Sequence, residues 1–100
     1  MKVKLNGHIQ DLNGEKFCED DGKTYLTIGS ACIFAILQAN IDSKTPAEEK
    51  FKRYQLAQKL YGQSEVELTI DEVAKLKEWV GIAYSPMVMG RIYDYLEGLK

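Results

Sequence analysis

The sequence predicts an α+β domain: an N-terminal β-hairpin or small antiparallel sheet over residues 1–27, then a bundle of about four short helices over residues 28–100. Three observations carry this expectation. Asn6-Gly7, Asn13-Gly14 and Asp21-Gly22 punctuate short apolar stretches in the first quarter, and such pairs tolerate the positive φ that tight hairpin turns require. Beyond Thr27 the apolar residues recur at intervals of three and four, the spacing of one helical face. Thr45-Pro46-Ala47-Glu48, Thr69-Ile70-Asp71-Glu72 and Ser85-Pro86 then supply helix-opening signals, because a capping hydroxyl, a first-turn proline and an N3 carboxylate each suit the unpaired N–H end of a helix.

Taken in order, Val3 and Leu5 alternate with lysines as in a strand. A hairpin is expected near residues 8–18, and Thr24-Tyr25-Leu26 adds a further short strand. From Ile28 to Ala39 only Gly29, Ser30 and Gln38 interrupt the apolar run. A helix without a polar face is normally buried on most sides, so this is the expected central helix, with Thr27 as its N-cap. After the polar link Ile41-Asp42-Ser43-Lys44, Thr45 caps a second helix that runs to about Tyr61 and stops at Gly62. Ala47, Phe51, Tyr54, Ala57, Leu60 and Tyr61 form its apolar stripe, flanked by a solvated basic face.

Val66 and Leu68 alternate with glutamates in a short extended piece. The third helix reaches roughly Ile82 and is expected to bury Ile70, Val73, Leu76 and Val80. The last helix follows Ser85-Pro86 with Val88, Met89, Ile92, Tyr95, Leu96 and Leu99 inward, and Gly90, Arg91, Asp94 and Glu97 opposite.

A chain of 100 residues that is 45% hydrophobic and 28% charged has room for one hydrophobic core and therefore one domain. Its formal net charge of -2 gives no overall basic field, which makes nucleic acid an unfavoured main partner. The longest apolar run, Ala31 to Leu37, falls far short of the roughly 20 residues a membrane span needs. With two cysteines, Cys18 and Cys32, and an alternating rather than apolar start, a cytoplasmic location with reduced thiols is expected.

No catalytic, cofactor-binding or metal-binding set is expected. The single histidine, His8, lies in a turn-rich segment, and its spacing to Cys18 and Cys32 matches no zinc pattern. Glu19-Asp20-Asp21-Gly22 clusters carboxylates but lacks the alternating ligand ladder and closing glutamate of a calcium loop. The basic-aromatic run Phe51-Lys52-Arg53-Tyr54 could stack on bases and pair with phosphates, but helical geometry splits it between faces. Tyr54, Tyr61, Tyr84, Tyr93 and Tyr95 fall in the helical part, where each phenol can bury its ring and leave its hydroxyl wet; edging a small core is the favoured reading and a contact surface the alternative, since tyrosine is enriched at interfaces. Trp79, Met87 and Tyr93 lie off their helices' main stripes and are the candidate partner contacts, with a place under the hairpin as the equal alternative for Trp79.

The pattern Asp11-Leu12-Asn13-Gly14, Leu26-Thr27-Ile28-Gly29, Glu48 through Ala57, Val66-Glu67-Leu68-Thr69 and Ala83-Tyr84-Ser85-Pro86 resembles small proteins of about this length encoded by tailed bacteriophages and prophages. The resemblance spans nearly the whole chain, but its motifs are hairpin turns, helix caps and apolar stripes. It implies a phage-related setting and transfers no catalytic or binding residue.

The expected function is therefore a non-enzymatic protein-protein interaction role, in assembly or as an accessory factor, in a bacterial cytoplasm or on a virion. A homodimer is in keeping with amphipathic helices in so short a chain. The alternative is an inhibitor of a host enzyme or defence complex, presenting Glu65, Glu67, Asp71, Glu72 and Glu78 as a nucleic-acid decoy. Less favoured is a nucleic-acid binder acting through Lys50, Lys52, Arg53 and Lys59.

Overall fold

A computed structural model describes residues 1–18 and 24–98. The elements run β1 (Lys2–Lys4), α1 (Ile28–Gln38), α2 (Ala47–Leu60), β2 (Glu65–Glu67), α3 (Ile70–Ala83) and α4 (Pro86–Glu97). This is the expected α+β arrangement of a small antiparallel sheet and four helices. Helix α1 packs against both α2 and α3, and α4 packs on α3. The Asp21-Gly22 turn, the acidic run Glu19-Asp20-Asp21-Gly22 and Leu99 lie outside the described residues.

The sheet draws its second strand from far along the chain. β1 pairs antiparallel with β2, setting Lys2 against Glu67, Val3 against Val66 and Lys4 against Glu65. This register turns both valines into the core and every charge outward. A slip of one residue would reverse that, which is why two strands this short can hold a defined register. Tyr95 of α4 fastens the outer edge, its hydroxyl accepting the Lys4 N–H at 2.6 Å.

The hairpin forms near its expected place. Gln10 bridges Lys16 across a turn in which Gly14 has φ 84° and the Asp11 carboxylate accepts the N–H groups of Asn13 and Glu15. The segment around Tyr25 then pairs with both arms: the Ile9 N–H donates to Leu26, Leu26 to Phe17, and Phe17 to Ile9. Leu12 stands 85% exposed at the turn. Arg91 of α4 holds the hairpin from outside through the carbonyls of Gln10 and Asp11.

Helix α1 carries no charged residue, so other groups must satisfy its ends. Thr27 and Ser30 form a reciprocal capping box, and the N–H groups of Ile28 and Gly29 donate to the carbonyls of Gly7 and Leu5. Gly29 is required there, because a Cβ would lie 2.9 Å from that of Leu5. Ala31, Cys32, Ala35 and Ile36 are buried, whereas Phe34 is 50% and Leu37 40% exposed. The expectation that α1 is buried on most sides holds: α2 and α3 pack against it, eight of its eleven residues are buried or half-buried, and only the face of Phe34, Leu37 and Gln38 is left open.

Helix α2 departs furthest from expectation. Thr45 does not cap it; its hydroxyl accepts the Asp42 N–H and closes the preceding turn, while Pro46 occupies the N-cap position. Gly62 does follow the helix with φ 74°. The buried face is Arg53, Ala57 and Leu60, roughly a quarter turn from the centre of the predicted stripe at 100° per residue. Phe51, Tyr54 and Tyr61 are consequently exposed.

Helices α3 and α4 bury Val73, Leu76, Val80 and Val88, Ile92, Leu96 respectively, as expected. Ile70 is the exception at 75% exposed. It stands on the first helical turn, about 90° round from the centre of the α3 stripe.

Candidate functional site

Arg53 fixes the rotation of α2. Its Nη1 donates to the carbonyls of Ile36 and Ala39, two acceptors that the end of α1 leaves over. Helix α1 has no basic residue in its last turn, and a cation at that end is electrostatically favoured. The guanidinium lies 4.4 Å from the centroid of the Trp79 ring, and Nη2 is 3.9 Å from Glu49. Among the described residues Arg53, with only 5% exposure, is the single buried charged one, and its Nε has no hydrogen-bond partner there. The two carbonyl bonds and the indole face offset that unpaired donor.

Above this pair, α2 and α3 diverge into a cleft of about 590 Å³ whose walls carry Glu48, Glu49 and Lys52 on one side and Asp71, Glu72 and Lys75 on the other. The charges alternate and pair locally: Lys52 with Glu48 at 3.6 Å, Lys59 with Glu72 at 3.4 Å, Lys75 with Glu78 at 3.8 Å. Such a lining presents no convergent field of one sign to a phosphate or a metal ion. Trp79, one of the sequence-derived contacts, sits half-buried against Arg53 of α2 rather than under the hairpin.

The other two candidates are separate from it. Tyr93 is half-buried, its hydroxyl donating to the Lys77 carbonyl at 2.7 Å and its ring 5.1 Å below the Lys77 ammonium. Gly81 makes room for that hydroxyl, which a Cβ would meet at 2.8 Å. Met87 is also half-buried and lines a shallow groove with Leu12, Pro86, Gly90, Arg91 and Asp94. The structure does not bring Trp79, Met87 and Tyr93 into one patch by any shared contact or cavity.

What sequence reasoning missed is the outer face of α2. Phe51, Tyr54 and Tyr61 are 58%, 52% and 76% exposed, and the rings of Phe51 and Tyr54 stack with centroids 6.2 Å apart. A second open apolar area lies on α1, where Phe34 contacts Tyr84 at 5.8 Å and Leu37 follows one turn later. The signal that could have found the α2 face was the arginine itself: Arg53 projects about 100° from Tyr54 and about 160° from Phe51 on the helix, so only one of the two sets can face α1.

Among the described residues, no group of three or more His, Cys, Asp or Glu side chains is placed to hold a metal ion. His8 is exposed, edge-on to Tyr25 at 5.6 Å. Cys18 is exposed and free; Cys32 is free and buried, and burial pushes its thiol pKa up to about 12. The acidic set is mostly occupied: Glu65 pairs with Lys2, Glu67 with the N-terminal ammonium, Glu72 with Lys59 and Glu78 with Lys75. The basic set is broken by the burial of Arg53. No helix among the described residues is long and apolar enough to cross a membrane. Comparison with protein-family models, curated proteins and solved structures finds no match to the chain.

Proposed function

We propose that the protein is a non-catalytic interaction module that binds another protein surface through the outer face of α2. The carrying observation is the exposure of Phe51 and Tyr54 on α2 and of Tyr61 at its C-cap, while an arginine takes the buried side. Scattered exposed apolar residues are ordinary, but aromatics gathered on one helical face mark contact surfaces. The phage or prophage setting, an assembly or accessory role and a location in the bacterial cytoplasm or on a virion rest on the resemblance of the hairpin, cap and stripe segments. The inhibitor alternative draws less support, because four of its five carboxylates already have cationic partners.

The test compares the tagged chain with its Tyr54→Glu variant as bait in lysate from phage-infected or lysogenic bacteria, after circular dichroism has shown equal helicity. A protein retained by the parent and lost by the variant supports the proposal. Identical captured sets for both baits would refute the assignment of the α2 face.

A further inference from the structure

We infer that the outer face of α2 is a helix-pairing seam whose partner is a second copy of this chain. The inference rests on the reading of that face as a contact surface and adds the identity of its partner. Ala47, Phe51, Tyr54, Gln58 and Tyr61 are all exposed, and their spacing is four, three, four and three. That is the alternation of the two seam positions of a coiled coil, which repeats every 3.5 residues and suits one helix packed along another. The core-facing residues Arg53, Ala57 and Leu60 are centred about 110° round the same helix. α2 therefore carries two packing faces, one used within the chain and one open.

Three features of the seam select a like helix. No seam position is charged, so nothing on it repels an identical surface. The charged residues on its rim, Lys50 and Glu48, are opposite in sign, and Glu48 is itself paired with Lys52. Gln58 is the one polar seam residue, and a single polar group at such a position sets register and limits the number of strands, at some cost in affinity. A two-fold arrangement uses the same stripe on both copies, as closed dimers do.

The area is of the right size for a modest dimer. An aromatic side chain offers about 150–250 Å². At exposures of 58%, 52% and 76%, the three rings of each copy offer on the order of 400 Å², so two copies bring roughly 800 Å² of aromatic surface. Ala47, Gln58 and the stems of rim residues extend this toward the lower end of the roughly 1,200–2,000 Å² buried in stable interfaces. A concentration-dependent dimer follows.

Sedimentation equilibrium of the purified full chain over a wide concentration range tests it. The expected result is a weight-average mass that climbs from 11.4 kDa toward twice that value. Tyr54→Glu, at an exposed site, should weaken the dimer by at least about tenfold, and Gln58→Leu should tighten it. Phe34→Ser, on the other open face, should leave it unchanged. A parent chain that stays at the mass of one copy throughout overturns the inference, as does a dimer indifferent to Tyr54→Glu. If the chain is monomeric but Tyr54→Glu still loses a captured protein from lysate, the second-copy assignment falls and the contact function of the face stands.

Discussion

Arg53 decides more of this structure than any apolar residue. A guanidinium can reach two carbonyls of α1 and lie flat on Trp79 at once, whereas an ammonium on a flexible stem cannot do both. Arg53→Ala should therefore lower stability by about 2–4 kcal/mol in urea unfolding, and Arg53→Lys by less. Trp79 fluorescence should shift in both variants, since the cation leaves the ring face. The thiols make a second residue-scale prediction. Cys18 should react with a thiol reagent in the native state and Cys32 only after unfolding, because Cys32 is fully buried with its pKa raised from 9.0 to about 12. The sign of its linkage is fixed by that raise: the contribution is complete below 9.0 and is lost as pH climbs toward about 12.

At the scale of elements, helix existence and starts were legible where local chemistry determines them. Thr69 and Glu72 form the capping box that their spacing announces, and Thr27 caps α1 as expected. Thr69→Ala should cost about 1 kcal/mol, read as a lower unfolding midpoint. Partial burial works to raise the Glu72 carboxyl, but the bonds from Thr69 and the charge of Lys59 outweigh it and hold its pKa below 4.5. A carboxyl depressed on folding contributes stability above its unfolded value and loses it as pH falls through the folded one. Glu72→Gln should therefore flatten the loss of stability on acidification below about pH 4.5, measured by thermal melts. What the sequence could not reveal is which side of α2 faces inward. Periodicity finds an apolar stripe but cannot weigh it against α1's unpaired carbonyls, an acceptor pair created only when the helices meet. The partner of β1 was equally hidden, since Val66 lies more than sixty residues away and strand pairing leaves no local signal.

For the whole molecule, a small core has been closed around the uncharged helix α1, whose two ends are satisfied by other elements: the residue 5–7 segment at one end, Arg53 at the other. Gly29→Ala tests that closure. The new methyl would press on Leu5 and its carbonyl, and we expect a loss of about 1–3 kcal/mol with the hairpin losing amide protection before the helices do. Of the three contacts expected from the sequence, Trp79 and Tyr93 have partners within the fold and Met87 lines a separate groove on α4. Helix α2 turns its aromatics to solvent and its arginine to the core. Hydroxyl-radical footprinting of the dilute, single-copy chain, read by mass spectrometry, tests it most directly. Phe51, Tyr54 and Tyr61 should oxidise at the rates of exposed aromatics and far faster than Tyr93; protection of Phe51 and Tyr54 under those conditions would mean that the aromatic stripe, not Arg53, faces α1, and would contradict the account.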